Sequence, residues 1–156
     1  MLGVDPGFGR VGFGVIEKSG SDWIHVAHGC IETSSKHTLS DRLMEVHENL
    51  ILVIKKYRPD RAALEELFFA KNAKTAMQVG QARGVLLLTL LQAGLPVDEY
   101  TPLEVKQAVT GYGRAEKVQL QKMIAMLLHL PKKPIQDDAA DALAIALTAG
   151  LLLRMR

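Results

Sequence analysis

Leu2-Gly3-Val4-Asp5-Pro6-Gly7-Phe8-Gly9 is an apolar run that ends in a carboxylate and is followed at once by a tight turn. The run reads as a strand and Pro6 to Gly9 as the turn that leaves it. Val11 to Ile16 resumes strand character. Lys18-Ser19-Gly20-Ser21 is a second turn, and Trp23 to Thr33 a third strand with rough alternation. Three consecutive strands joined by short turns make an antiparallel meander.

Beyond it the period changes. Leu39, Leu43, Val46, Leu50, Val53 and Ile54 recur at helical spacing, so residues 39–57 read as a helix, with Ser40 as a cap if it starts slightly late. Arg58-Pro59-Asp60 stops it. Ala62 to Leu67 is a fourth strand, Asn72 to Ala93 a long helix closed by Gly94, and Pro96 to Tyr100 a short fifth strand. Thr101-Pro102 with Glu104 is a capping box that starts another helix, broken by Gly111-Tyr112-Gly113. Ala115 to Leu130 is helical. Asp137 or Asp138 caps a final helix to about Met155. The order βββαβαβααα predicts a mixed five-stranded α/β sheet with helices on its faces, a ribonuclease H-like arrangement. In it the first strand is central and the fourth lies parallel beside it, and adjacent strand ends are where open sheets bind ligands.

The 156 residues suit one domain, 1–156, and 48% hydrophobic content is ample for a core. The net charge of +2 excludes a polybasic arm, but a gathered set of carboxylates would leave the remaining surface more basic than the total implies. Cys30 is the single cysteine, so no intrachain disulfide forms, which fits a reducing cytoplasm; it reads as a buried structural thiol. The start has no signal-peptide pattern, and Ala142 to Leu153 is too short for a span, which needs about 20 residues.

Four carboxylates stand beside apolar segments: Asp5, Glu65, Asp138 and Asp141. Gathering them is costly, because like charges repel and desolvation disfavours the charged form. Divalent cations such as Mg²⁺ remove that cost, and two-metal phosphoryl chemistry needs such ligands, so the pattern suggests a metal-dependent nuclease. Each residue also has a plainer reading. Asp before Pro-Gly is often only a turn residue. Acids in a first helical turn oppose the macrodipole, for about 0.3–1 kcal/mol each. Glu65 and Glu66 face opposite sides of a strand, and periodicity alone does not choose between them. Gly7 and Gly9 would let a phosphate or metal approach the backbone. Phe68 and Phe69, followed by Lys71 and Lys74, suit an unstacked base near a phosphate backbone. Ala76, Gly80 and Gly84, with the leucines after them, make the long helix apolar on more than one face, so one face is free to meet a second copy. His25, His28, His37, His47 and His129 show no metal-ligand spacing.

Taken in order, Gly3-Val4-Asp5-Pro6-Gly7, Ala63-Leu64-Glu65-Glu66-Leu67-Phe68-Phe69-Ala70-Lys71-Asn72, Gly80-Gln81-Ala82-Arg83-Gly84, Val105-Lys106-Gln107, Gly113-Arg114-Ala115-Glu116-Lys117 and Asp138-Ala139-Ala140-Asp141 run along nearly the whole chain. The set resembles the RuvC family of Holliday-junction resolvases. That resemblance implies catalytic, metal-binding roles for Asp5, Glu65, Asp138 and Asp141, with Asp137 a neighbour. It implies DNA contacts by Phe68, Lys106 and Lys117. It further implies Mg²⁺ or Mn²⁺, two per site, as cofactor, and four-way junction DNA cut by paired symmetric nicks. A homodimer, a branch-migration motor as partner and a bacterial, cytoplasmic, nucleoid-associated setting complete the expectation. The alternatives are an actin-like nucleotide phosphotransferase, which shares the first-strand Asp and glycine turn, and a junction-binding protein without catalysis.

Overall fold

A computed structural model describes residues 1–66, 73–131 and 135–153. The strands are β1 (Leu2–Asp5), β2 (Arg10–Ser19), β3 (Asp22–Glu32), β4 (Ala62–Glu65) and β5 (Val97–Tyr100). The helices are α1 (Leu39–Tyr57), α2 (Ala73–Gln92), α3 (Pro102–Thr110), α4 (Lys117–Leu127) and α5 (Asp137–Leu153). The sheet order is β3-β2-β1-β4-β5. β1 and β3 flank β2 antiparallel, while β4 runs parallel to both β1 and β5. This is the expected ribonuclease H-like arrangement, with β1 central.

Strand alternation sorts the two faces. Leu2, Val4, Val11, Val15, Ala62 and Leu64 pack with Val46 and Leu50 of α1 and with Leu86 and Leu90 of α2. On the other face Ile16 and Ala63 pack with Val105, Leu120, Ile124 and Leu143, from α3, α4 and α5. α5 is buried almost all round, from Ala139 through Gly150 apart from Asp141. It lies unusually near the sheet. A Cβ on Gly3 would fall 2.1 Å from the Ala142 carbonyl oxygen, and one on Gly12 only 1.9 Å from that of Asp138. Bare backbone on the strands and alanines on the helix permit this approach, and it sets the height of the helix above Asp5.

Element ends differ from expectation where local bonds decide them. Thr38, not Ser40, caps α1, its hydroxyl accepting from the Asp41 N–H. α4 starts at Lys117 because the Gln119 side chain reaches back to the Glu116 N–H, and it closes at Leu128 before left-handed His129. The Ala140 N–H donates to the Gln136 carbonyl, so Asp137 and Asp138 lie inside the first turn of α5 rather than capping it from outside. The capping box at Thr101 forms as expected. Leu67, Phe68, Phe69, Lys71, Asn72 and Met155 lie outside the described residues. Among the described residues no helix is long and apolar enough to cross a membrane.

Candidate active site

Gly3 and Asp5 share one face of β1, and Ala63 and Glu65 share the same face of β4, because the register pairs Gly3 with Ala63. That face carries α5. Both carboxylates therefore sit at adjacent strand ends beneath the first turns of the helix that brings Asp138 and Asp141. Glu66 follows Glu65 and points to the α1/α2 side. Its N–H is held by the Tyr100 carbonyl at 2.8 Å.

Electrostatics confirms the gathering. Burial, then the charges of Glu65, Asp141 and Asp138, push the Asp5 carboxyl from its ordinary 3.8 up to about 8. Burial and Asp141 push Glu65 up to about 7, while Lys106 and Lys117 hold it back. Asp141 is raised chiefly by burial, and a 3.0 Å hydrogen bond from Lys117 opposes the rise. Burial first, and neighbouring carboxylates second, favour the protonated form of each of these groups.

Two protein cations rest on the outer carboxylates. Arg10 donates to Asp138 Oδ2 at 3.2 Å and to Glu32 at 3.1 Å. Lys117 bridges Asp141 and Asp137, the latter at 3.4 Å. Among the described residues no three acidic or histidine side chains converge into a ready-made cage. The donor set nevertheless fits hard divalent cations, since it is all carboxylate oxygen, partly desolvated, and carries repulsion at Asp5 and Glu65 that the nearby lysines only partly relieve. Asp137 is exposed, accepts from Gln121 and shares Lys117 with Asp141. Lys106 and Lys117 line a hollow of about 180 Å³ that contains Glu65 and Asp141. Phe68 lies outside the described residues.

Three arginines escaped the sequence reading. Arg10 has just been described. Arg42 is buried on α1, where its guanidinium lies 3.7 Å over the Phe8 ring and donates to the Phe8 carbonyl at 3.2 Å and to Thr33 Oγ1 at 2.9 Å. It thereby ties down the turn that follows Asp5. Its signal was available, since Arg42, Val46 and Leu50 share the buried face of α1. Arg83 donates to the Glu65 carbonyl at 3.1 Å and pairs with Glu99, steadying the end of β4. Gly7 serves the turn itself, because a Cβ there would meet the Arg10 carbonyl at 2.0 Å.

Cys30 is half-buried rather than buried; burial and nearby Asp138 push its thiol up, against nucleophilic use. A register shift between Val15 and Ile16 lets His25 and His28 meet at 2.8 Å, a pairing that their spacing does not reveal. His37 pairs with Glu45, and His47 bonds Thr89 at 2.8 Å.

The family model for crossover junction endodeoxyribonuclease RuvC matches residues 1–149. The crossover junction endodeoxyribonuclease RuvC of Petrotoga mobilis is 52% identical over 150 residues, covering 96% of this chain and 92% of that protein. The one from Halothermothrix orenii is 52% identical over 155 residues, covering 99% and 94%. Among solved structures, T. thermophilus RuvC in complex with a Holliday junction substrate superposes with a TM-score of 0.92 at 35% identity, covering 99% of this chain and 94% of that one. Fowlpox virus resolvase, at 13% identity and a TM-score of 0.60, shares the fold.

Proposed function

Because this chain belongs to the RuvC family of crossover junction endodeoxyribonucleases, we propose that it cuts four-way DNA junctions, hydrolysing one phosphodiester in each of two strands. The observation that carries the reading is the placement of Asp5 and Glu65 at adjacent ends of β1 and β4, under the start of α5 that carries Asp138 and Asp141, where burial first and neighbouring carboxylates next push Asp5 up to about 8 and Glu65 up to about 7. Asp5, Glu65, Asp138 and Asp141 would hold Mg²⁺ or Mn²⁺, two per site, and the bound ions supply positive charge and polarised water for phosphodiester hydrolysis. The carboxylates position these ions and accept no substrate proton in this role. Lys117 exchanges its carboxylate partners for a DNA phosphate, and Lys106 holds a second phosphate beside Glu65. Family membership disfavours the phosphotransferase alternative. Incubation with a mobile four-way junction and with linear duplex, with and without Mg²⁺, tests the proposal. Paired nicks in the junction alone, and only with the metal, are expected. Equal cutting of both DNAs, or binding without any nick, would overturn it.

Cuts in two of the junction's four strands call for two sites, and α2 offers the surface to pair them. Ala82, Leu86 and Leu90 face the core, while Met77, Gly84, Leu88 and Leu91 form an exposed line along the opposite side. A Cβ on Gly84 meets nothing within 4 Å in the single chain. A twofold pairing along this line supports coordinated cutting. Gly84→Glu would bury an unpaired charge there, at a cost of about 3–5 kcal/mol. Sedimentation should show a dimer at micromolar concentration for the parent and a monomer for Gly84→Glu, whose nicks become unpaired. A monomeric parent that still makes paired nicks would exclude this interface.

A further inference from the structure

The first turn of α3 and the loop after it enclose an open hollow of about 530 Å³ lined by Thr101, Pro102, Leu103, Lys106 and Gly113. Pro102 and Lys106 also line the hollow that contains Glu65 and Asp141, so the two depressions adjoin and share those two residues. The wall is mainly apolar, and Leu103 holds its side chain 62% exposed within it. It is also rigidly built. Gln107 donates to the Gly111 carbonyl at 2.9 Å and accepts from the Gly113 N–H at 2.9 Å. The Thr110 hydroxyl donates to the Tyr112 carbonyl at 3.0 Å. Leu103 lies across Gly113, where an added Cβ would stand 3.1 Å from its Cδ1. The Thr101 hydroxyl is engaged with Glu104 on both its donor and acceptor sides. What the hollow offers is therefore an apolar surface with one cation, Lys106, on the side toward the carboxylates.

We propose that this hollow seats the sugar and nucleobase adjoining the scissile phosphate, with the base face on Leu103 and Pro102 and the phosphate on Lys106. The inference rests on the nuclease reading and names the ligand of a neighbouring part of that site. A cation beside an apolar wall matches one nucleotide: charge at the phosphate, apolar area against the base. A base inside a stacked duplex hides both faces, so the seat accepts only an unstacked nucleotide. Strand crossovers expose such bases and regular duplex does not. The wall has little to offer as hydrogen-bond readout, so it tolerates different bases.

The test is a cycle between protein and DNA. Leu103→Ala and Leu103→Met are compared with the parent on an intact junction and on junctions in which each nucleotide near the cut is made abasic in turn. Both single-turnover cleavage and binding by anisotropy are read. On intact junction Leu103→Ala should be about tenfold weaker in one or both readouts, the loss of the leucine's apolar contact with one base, and Leu103→Met should recover most of it. At one abasic position the parent and Leu103→Ala should become equal, because the contact is already gone. Melting temperature should not change, since the side chain is exposed. A loss that is the same on every abasic junction, or no loss on the intact one, overturns the seat. Failure of the nuclease reading shows separately, as a parent that leaves the intact junction uncut in Mg²⁺.

Discussion

Asp5→Asn is expected to abolish cleavage and, in metal-free buffer at pH 8, to raise the melting temperature. The two results share one cause. Folding lifts the Asp5 carboxyl from 3.8 to about 8, so the native state binds its proton more tightly than the unfolded chain does. Stability from this group is complete below about pH 4 and is lost as the pH rises through 8. Glu65 adds a similar loss between 4.5 and about 7. At pH 8 the metal-free protein therefore carries buried repulsion, which Asn removes without changing shape. The gain should shrink toward pH 5, where the parent's Asp5 is already neutral. Added Mn²⁺ should stabilise the parent and have much less effect on the variant. Junction binding should survive. Glu65→Gln, Asp138→Asn and Asp141→Asn should also lose cleavage. Asp141→Asn forfeits its ion pair with Lys117, so its gain in stability should be smaller. Scanning calorimetry in chelator across pH, beside a cleavage assay, checks all of this. Full activity in Asp5→Asn would remove the residue from the site, and a melting temperature equal to the parent's at pH 8 would deny the repulsion.

The second large effect lies at a residue with no side chain. Gly12 pairs with Asp5 across the sheet and sits directly beneath Asp138. In Gly12→Ala the new methyl would stand 1.9 Å from the Asp138 carbonyl oxygen and 2.4 Å from its carbonyl carbon. Both are backbone atoms of a buried helix, so no flexible side chain can swing aside. The helix must rise or the strand must sink. The cost should reach about 3 kcal/mol, the upper end of ordinary overpacking. In a chain of this size that lowers the melting temperature by about 6–12 °C. Displacing Asp138 from Asp5 by even about 1 Å should also slow cleavage about 100-fold. Calorimetry and single-turnover cleavage measure the two losses. An unchanged melting temperature with full activity would mean that α5 has room to retreat.

The five strands, the helices and the central place of β1 beside parallel β4 were legible, the elements themselves through local signatures: an apolar run closed by a turn in β1, rough alternation in β3, helical spacing in α1, the capping box at Thr101. The carboxylates were legible as candidates; periodicity left Glu65 and Glu66 open, and only the family resemblance pointed to Glu65. The glycines show which of the two shares a face with Asp5. Gly3 and Gly12 mark the face on which a helix comes close, and counting from Gly3 to Asp5 and from Ala63 to Glu65 selects the same face. The arginine contacts were hidden for another reason. Arg10 reaches Asp138 across 128 positions, and nothing near either residue announces the pair. The meeting of His25 and His28 depends on a register shift, which alternation alone does not encode.

The close seating of α5 also governs when the protein becomes dangerous to DNA. Two of the four carboxylates arrive on the helix that is synthesised after every strand of the sheet. Until that helix docks, Asp5 and Glu65 line a bare sheet face, and the long closure between them and Asp138 is an entropic barrier that shorter contacts do not face. On the proposed reading, a nascent or partly unfolded chain without docked α5 holds only Asp5 and Glu65 of the four carboxylates, so cutting competence would require that helix to be in place.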